Sequence, residues 1–293
     1  MFDFLHATIL GVVEGFTEFL PISSTGHLIL VSRLLGIAPD EFLKSFEIAI
    51  QLGAILAVVA LYWKRLFTDF AVMKKIAFAF VPTGIIGFAL YKTIKSIFLG
   101  SETIVLWSLL IGGVILIAFE WWHREREDAT QDLGALTYRQ SFLIGLAQSV
   151  SIIPGVSRAA ATIMGGLLVG VSRRTIVEFS FLLAVPTMVA ATGYDLIKNA
   201  GTFSSADFGI LVVGFMVSFA VAMVAITAGW PTLFKFICPK VLPMDFRASR
   251  HCLLNWFVCG GSAIYSLLKE SDLSPFIALR ASKTLRERRR TLG

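Results

Sequence analysis

Two apolar stretches, residues 4–35 and 140–171, are each broken near the middle by a proline-led polar turn. The first break reads Pro21-Ile22-Ser23-Ser24-Thr25-Gly26 and the second Pro154-Gly155-Val156-Ser157. A helix needs about 20 apolar residues to cross a bilayer, so neither half of either stretch spans alone. Each reads as a re-entrant hairpin of two half-helices. Irregular backbone at membrane depth is tolerated only where protein or a water-filled cavity surrounds it. The chain must therefore pack a helical bundle around two buried turns.

Five runs are long and apolar enough to form that bundle: 46–63, 76–98, 103–122, 176–197 and 208–229. A sixth, 252–268, is short for a span. Of the 293 residues, 56% are hydrophobic and only 16% charged, too few charges to cover a soluble surface. The net charge of +6 does not mark a nucleic-acid binder. Most lysines and arginines sit between apolar runs, as the loops of membrane proteins require. The lipid bilayer is the expected partner, with no nucleic acid. The sequence leaves oligomeric state open, a homo-oligomer included.

The broken stretches resemble each other. Gly11-Val12-Val13-Glu14 precedes Pro21 and Ser24 as Gly145-Leu146-Ala147-Gln148 precedes Pro154 and Ser157. Leu35-Gly36 returns as Val169-Gly170 and Phe46 as Phe179, always 133 or 134 residues on. The reading is an all-α polytopic membrane protein, each half a re-entrant helical hairpin plus about three transmembrane helices. It forms a single integral domain over 1–268: repeat 1 about 1–122, a polar linker 123–138, and repeat 2 about 139–268. A basic polar tail, 269–293, follows. A hairpin returns to its own side while three spans cross, so the second half is an inverted copy. Two hairpins entering from opposite faces meet near the midplane, where inverted-repeat membrane proteins place their sites. The loops on the N-terminal side carry Arg33, Lys44, Lys92, Lys95 and Lys198. Those on the other side carry many more, from Lys64-Arg65 and Lys74-Lys75 to Arg124 and Arg173-Arg174, and so are expected to be cytoplasmic.

Polar residues inside these stretches mark the chemistry. Glu14 and Glu18, at i and i+4, share a helix face. An acid at the centre of a membrane helix costs about 2.5–3.5 kcal/mol on insertion scales. Two carboxylates together either bind a divalent cation or share a proton. The bland alternative is a shallow hairpin with both acids solvated. Ser23, Ser24, Thr25 and Gly26 open the second half-helix, where hydroxyls cap a helix start and free N–H groups attract anions. His27, one turn in, titrates near neutrality. Arg158 stands at the second turn, and its planar fork suits a phosphate. Otherwise it snorkels to the interface or pairs with Glu14 or Glu18. Ser157 and Thr162 add hydroxyls, and Gly155 permits close backbone approach.

Glu14-Gly15-Phe16-Thr17-Glu18, Pro21-Ile22-Ser23-Ser24-Thr25-Gly26-His27 and Pro154-Gly155-Val156-Ser157-Arg158-Ala159-Ala160-Ala161-Thr162 together resemble the undecaprenyl-diphosphate phosphatase family, also called the bacitracin-resistance protein family. Its hallmarks are an (E/Q)xxxE motif and a PGxSRSxxT motif. The likeness runs to about residue 230 and includes Phe179-Ser180-Phe181-Leu182-Leu183-Ala184-Val185-Pro186. It implies hydrolysis of the terminal phosphate of undecaprenyl diphosphate in the bacterial inner membrane. That reaction recycles the lipid carrier for peptidoglycan synthesis and confers bacitracin resistance. The resemblance further implies a periplasm-facing site and a divalent cation, Mg2+ or Ca2+, on Glu14 and Glu18. Glu14, Glu18, Ser24, His27 and Arg158 match the family's catalytic positions, with Ser23, Thr25, Gly26, Gly155, Ser157 and Thr162 binding substrate. Ser24 or His27 attacks phosphorus, or His27 activates water. Two features depart from the pattern. Ala159 replaces the second serine of PGxSRSxxT, and Pro231, Pro239 and Pro243 interrupt the stretch before the last apolar run. The rival reading is an inverted-repeat transporter or flippase for an anionic lipid.

Overall fold

A computed structural model describes residues 2–93, 102–199 and 207–227, all within one compact unit, Met1–Leu233. The short apolar run 252–268 and the tail 269–293 lie outside the described residues. Among those described, the chain is helical, with one isolated β-bridge between Thr130 and Val171. The helices are α1 (Phe4–Thr17), α2 (Ser24–Leu34), α3 (Glu41–Thr68), α4 (Phe70–Thr93), α5 (Glu102–Trp122), α6 (Tyr138–Gln148), α7 (Arg158–Leu168), α8 (Arg173–Asn199) and α9 (Asp207–Thr227). Five of them, α3, α4, α5, α8 and α9, are long and apolar enough to cross a membrane. They coincide with the five runs read from the sequence. The two hairpins are α1–α2 and α6–α7, whose arms of 11 to 14 residues are too short to span.

Local chemistry sets these boundaries. Asp3 accepts from the N–H groups of Leu5 and His6 at 3.0 Å and starts α1. Asp40 does the same for α3 through Leu43 N–H, at 2.7 Å. Thr137 and Gln140 form a reciprocal capping box at the start of α6. Gly36 and Gly170, with φ of 69° and 80°, end α2 and α7 in the left-handed conformation that glycine adopts without penalty.

Packing relies on small residues because lipid supplies no hydrophobic drive between helices. A Cβ on Gly11 would stand 2.7 Å from the Gly214 carbonyl oxygen, and one on Gly15 2.8 Å from that of Ser218. Thus α1 lies directly on the backbone of α9. Gly145 likewise lies on the Ala79 carbonyl, bringing α6 onto α4. The first arm of each hairpin therefore rests on the second long helix of the opposite half. Between them, α3 packs against α8, and each also contacts the helix that bears the hairpin of its own half, α3 with α9 and α8 with α4.

At the end remote from the N-terminus, ion pairs lock the elements together. Arg65 meets Glu178 at 2.6 Å and Arg173 meets Glu120 at 2.7 Å. The stretch 123–138, polar in sequence, is docked rather than loose. Leu133 and Leu136 are buried, and the Lys75 ammonium donates to the Gly134 carbonyl at 2.5 Å.

Candidate active site

The tips of the two hairpins meet. Arg158, the first residue of α7, donates from Nη2 to Glu18 Oε1 at 2.5 Å, across 140 residues of sequence. Both side chains are nearly buried, 10% and 5% exposed, so Arg158 neither snorkels nor sits in solvent. Its Nη1 donates to the Ser180 carbonyl of α8 at 3.3 Å. The other Glu18 oxygen accepts from the Ser24 hydroxyl at 2.5 Å. One continuous chain thus runs Ser24–Glu18–Arg158 and joins α2, the end of α1, and α7. Charge-assisted hydrogen bonds of this length are the strong ones. Neither acid is solvated: Glu14 is 0% exposed and Glu18 7%.

The turn before α2 has an unusual backbone. Ser23 has φ 62°, the one positive φ among described non-glycine residues. Its side chain caps α2 loosely, accepting from Gly26 N–H at 3.4 Å, while its carbonyl lies 2.8 Å from His27 Nδ1. His27 is therefore oriented by the turn itself, and Ser24 donates to Glu18 rather than to His27. His27, three residues on along the helix, is near enough in sequence to serve Ser24 as a base, but the fold gives that contact to Glu18. This follows from the hairpin bend, which returns α2 beside the end of α1.

Other expected residues hold the tips. Ser157 caps α7 by accepting from Ala160 N–H at 3.2 Å, and its hydroxyl lies 3.5 Å from the Leu20 carbonyl of the other hairpin. Ala159, where the family pattern has serine, is buried at 2% exposure. Gly26 and Gly155 face α5. A Cβ on Gly26 would meet Leu109, and one on Gly155 would lie 2.6 Å from the Val105 carbonyl oxygen. Their small size lets both tips rest on one helix. Thr25 accepts from Gln51 of α3 at 3.2 Å.

The repeat relation separates two buried polar residues. Gln148, opposite in the repeat to Glu14, is held by its amide group. Its nitrogen donates to Thr187 at 3.0 Å and Thr83 at 3.3 Å, and its oxygen lies 3.3 Å from the Thr162 hydroxyl, which also has the Arg158 carbonyl at 2.8 Å as an acceptor for its one proton. Thr83 and Thr187 have given their own protons to the carbonyls of Gly145 and Leu183, so only a donor fits between them. Glu14 has no such setting. Both of its oxygens are buried with no hydrogen-bond donor among the described residues, and the repeat puts Ala54 where α8 carries Thr187. A buried polar group without a partner is costly and calls for an explanation.

Those oxygens suit a hard cation. Among the described residues no three of His, Cys, Asp and Glu are close enough to form a metal cage by themselves. Mg2+ is commonly held by one or two carboxylates, with substrate phosphates and water completing the shell. Glu14 fits that role, and Glu18, one turn away, keeps a second lone pair on each oxygen. The sequence reading missed Glu47 and Gln51, one turn apart inside the span α3. Glu47 is buried and accepts from Ser32 at 3.2 Å. The signal was present: a lone acid in an otherwise apolar run.

The family described as "Bacitracin resistance protein BacA" matches residues 7–236. A protein of Sulfurihydrogenibium sp. named undecaprenyl-diphosphatase is 54% identical, over 80% of this chain and 90% of its own length. Proteins of the same name from Aquifex aeolicus and Wolinella succinogenes are 53% and 51% identical, over 75% and 76% of this chain and 86% and 87% of theirs. The matched region contains both hairpins and all five long helices, and on this ground the chain belongs to the bacitracin resistance protein family.

Proposed function

We infer that the protein is a membrane-embedded undecaprenyl-diphosphatase, releasing the terminal phosphate of undecaprenyl diphosphate and leaving undecaprenyl phosphate. The buried Ser24–Glu18–Arg158 chain carries this reading, because it sets a hydroxyl, a proton acceptor and a phosphate-binding fork in contact at the hairpin tips. The diphosphate docks between the tips with its polyprenyl tail in the surrounding lipid. Arg158 has donors beyond the two it uses, and these hold phosphate oxygens. The Ser24 oxygen attacks the terminal phosphorus as its proton passes to Glu18. The bond from phosphorus to the bridging oxygen breaks, and that oxygen leaves on undecaprenyl phosphate. Water then cleaves the phosphoserine, with Glu18 taking the water's proton as Ser24 recovers its own. His27, fixed by the Ser23 carbonyl, stands beside this path as a donor to phosphate. Glu14 and Glu18 would hold a divalent cation, Mg2+ or Ca2+, which supplies charge neutralisation across the diphosphate.

The likeness between the halves supports an inverted repeat. The charge pattern of the loops supports a site that opens to the periplasmic side of the bacterial inner membrane, where spent carrier is released for recycling. The test is phosphate release by purified protein in detergent, where lipid transport cannot occur. Equal amounts of inorganic phosphate and undecaprenyl phosphate are expected. No release by folded protein, with lipid movement in proteoliposomes, would instead mark a flippase.

A further inference from the structure

Ser180 of α8 is 0% exposed, and its hydroxyl has no hydrogen-bond partner among the described residues. Its own carbonyl accepts from Arg158, so it stands at the guanidinium. Its direction follows from helix geometry. Ile176, Phe179 and Leu183 face the cluster that includes Ile144 and Leu167 of the second hairpin. Phe181 and Ala184 face the cluster that includes Phe19, next to Glu18. At about 100° per residue, Ser180 points between these two faces, along the seam where the hairpins meet.

The repeat explains why the hydroxyl is unpaired. Ser180 follows Phe179 as Glu47 follows Phe46, so both inner helices carry a buried polar residue at this place. In the first half Glu47 is satisfied by Ser32 of the hairpin arm. In the second half the positions that correspond to Ser32 are Gly165 and Gly166, which offer no side chain. The site thus contains an unpaired buried donor on Ser180 and an unpaired buried acceptor on Glu14. A hydroxyl left in this state beside an arginine has the chemistry to meet a phosphate oxygen.

We propose that Ser180 is a substrate-binding residue whose hydroxyl donates to a phosphate oxygen held by Arg158. The proposal rests on the phosphatase reading above. The test compares wild type with Ser180→Ala, both purified in detergent, using undecaprenyl diphosphate as substrate and inorganic phosphate as competing ligand. A purely structural hydroxyl would show itself as lost stability. An unpaired one costs stability, so alanine should melt at the same temperature or higher. With that unchanged or raised melting, KM for the diphosphate and the inhibition constant for phosphate should each rise roughly tenfold or more, kcat changing least. Active wild type with an unchanged KM in Ser180→Ala overturns the assignment and leaves the phosphatase reading intact. A lower melting temperature together with the higher KM also overturns it, since the hydroxyl would then be structural. Inactive, folded wild type overturns both.

Discussion

Replacing Arg158 by lysine keeps the charge and removes the fork. The guanidinium spans two elements, with one nitrogen on Glu18 at 2.5 Å and the other on the Ser180 carbonyl at 3.3 Å. A single ammonium keeps Glu18 and gives up the carbonyl. The folded state then loses one hydrogen bond, about 0.5–1.5 kcal/mol. Substrate loses more, because a charge-assisted bond to phosphate contributes about 1.5–3 kcal/mol. At about 1.4 kcal/mol per decade, that is roughly 10- to 150-fold in kcat/KM. Methionine acts differently. With side chains only 10% and 5% exposed, removing the cation leaves Glu18 buried without a counter-charge, a loss of about 3–5 kcal/mol. Melting in detergent and phosphate release from undecaprenyl diphosphate report the two effects separately. Arg158→Lys should melt close to wild type with kcat/KM reduced as calculated. Arg158→Met should lose both stability and activity. A lysine variant within threefold of wild type in kcat/KM would refute two-pronged phosphate binding.

Further outcomes follow from the same contacts. Gln148→Glu loses two donors and sets a carboxylate among hydroxyl oxygens whose protons are committed; it should lower the melting temperature, at a cost of about 2–4 kcal/mol. Ser24→Ala should cut kcat at least 100-fold and lower the melting temperature through loss of a charge-assisted bond to buried Glu18, about 1.5–3 kcal/mol; a smaller loss of kcat would move the nucleophile elsewhere. Glu14→Gln should leave membrane insertion intact and raise the cation concentration needed for half-maximal activity at least tenfold, read by Mg2+ titration after chelation. Once Cys238, Cys252 and Cys259 are replaced, a cysteine at Ala38, exposed in the loop between α2 and α3, should react with an impermeant thiol reagent on intact spheroplasts. One at Thr68, exposed where α3 meets α4, should react only after permeabilisation, and labelling there from outside would invert the topology.

The hairpins and five spans were legible because breaks at Pro21 and Pro154 and runs of apolar residues are local signals. Glu14, Glu18 and Arg158 were legible for a related reason: charge inside apolar sequence is costly wherever the chain folds. What the sequence left undecided was pairing. Nothing in the spacing of Glu18 and Arg158, 140 residues apart, separates an ion pair from a snorkelling arginine. Nor does the local sequence show that Ser24 turns to Glu18 instead of His27, since that depends on the φ of 62° at Ser23. Glu47, Gln51 and Ser180 were overlooked because each sits inside a run whose average hydropathy hides one polar side chain. Gly155 reads as permitting close backbone approach, and the fold shows which backbone that is, the Val105 carbonyl of α5, with Gly26 set against Leu109 of the same helix.

The central claim is that the two hairpins make one site through Glu18 and Arg158. The most direct measurement is a double-mutant cycle of Glu18→Gln and Arg158→Met, read by melting temperature and kcat/KM. Each single change leaves a buried partner unmatched, while the double leaves two neutral side chains. The double variant should therefore melt above Arg158→Met alone, with a coupling of about 1–3 kcal/mol and no further loss of activity beyond the worse single. Losses that simply add in stability and multiply in rate would show that the two residues do not meet.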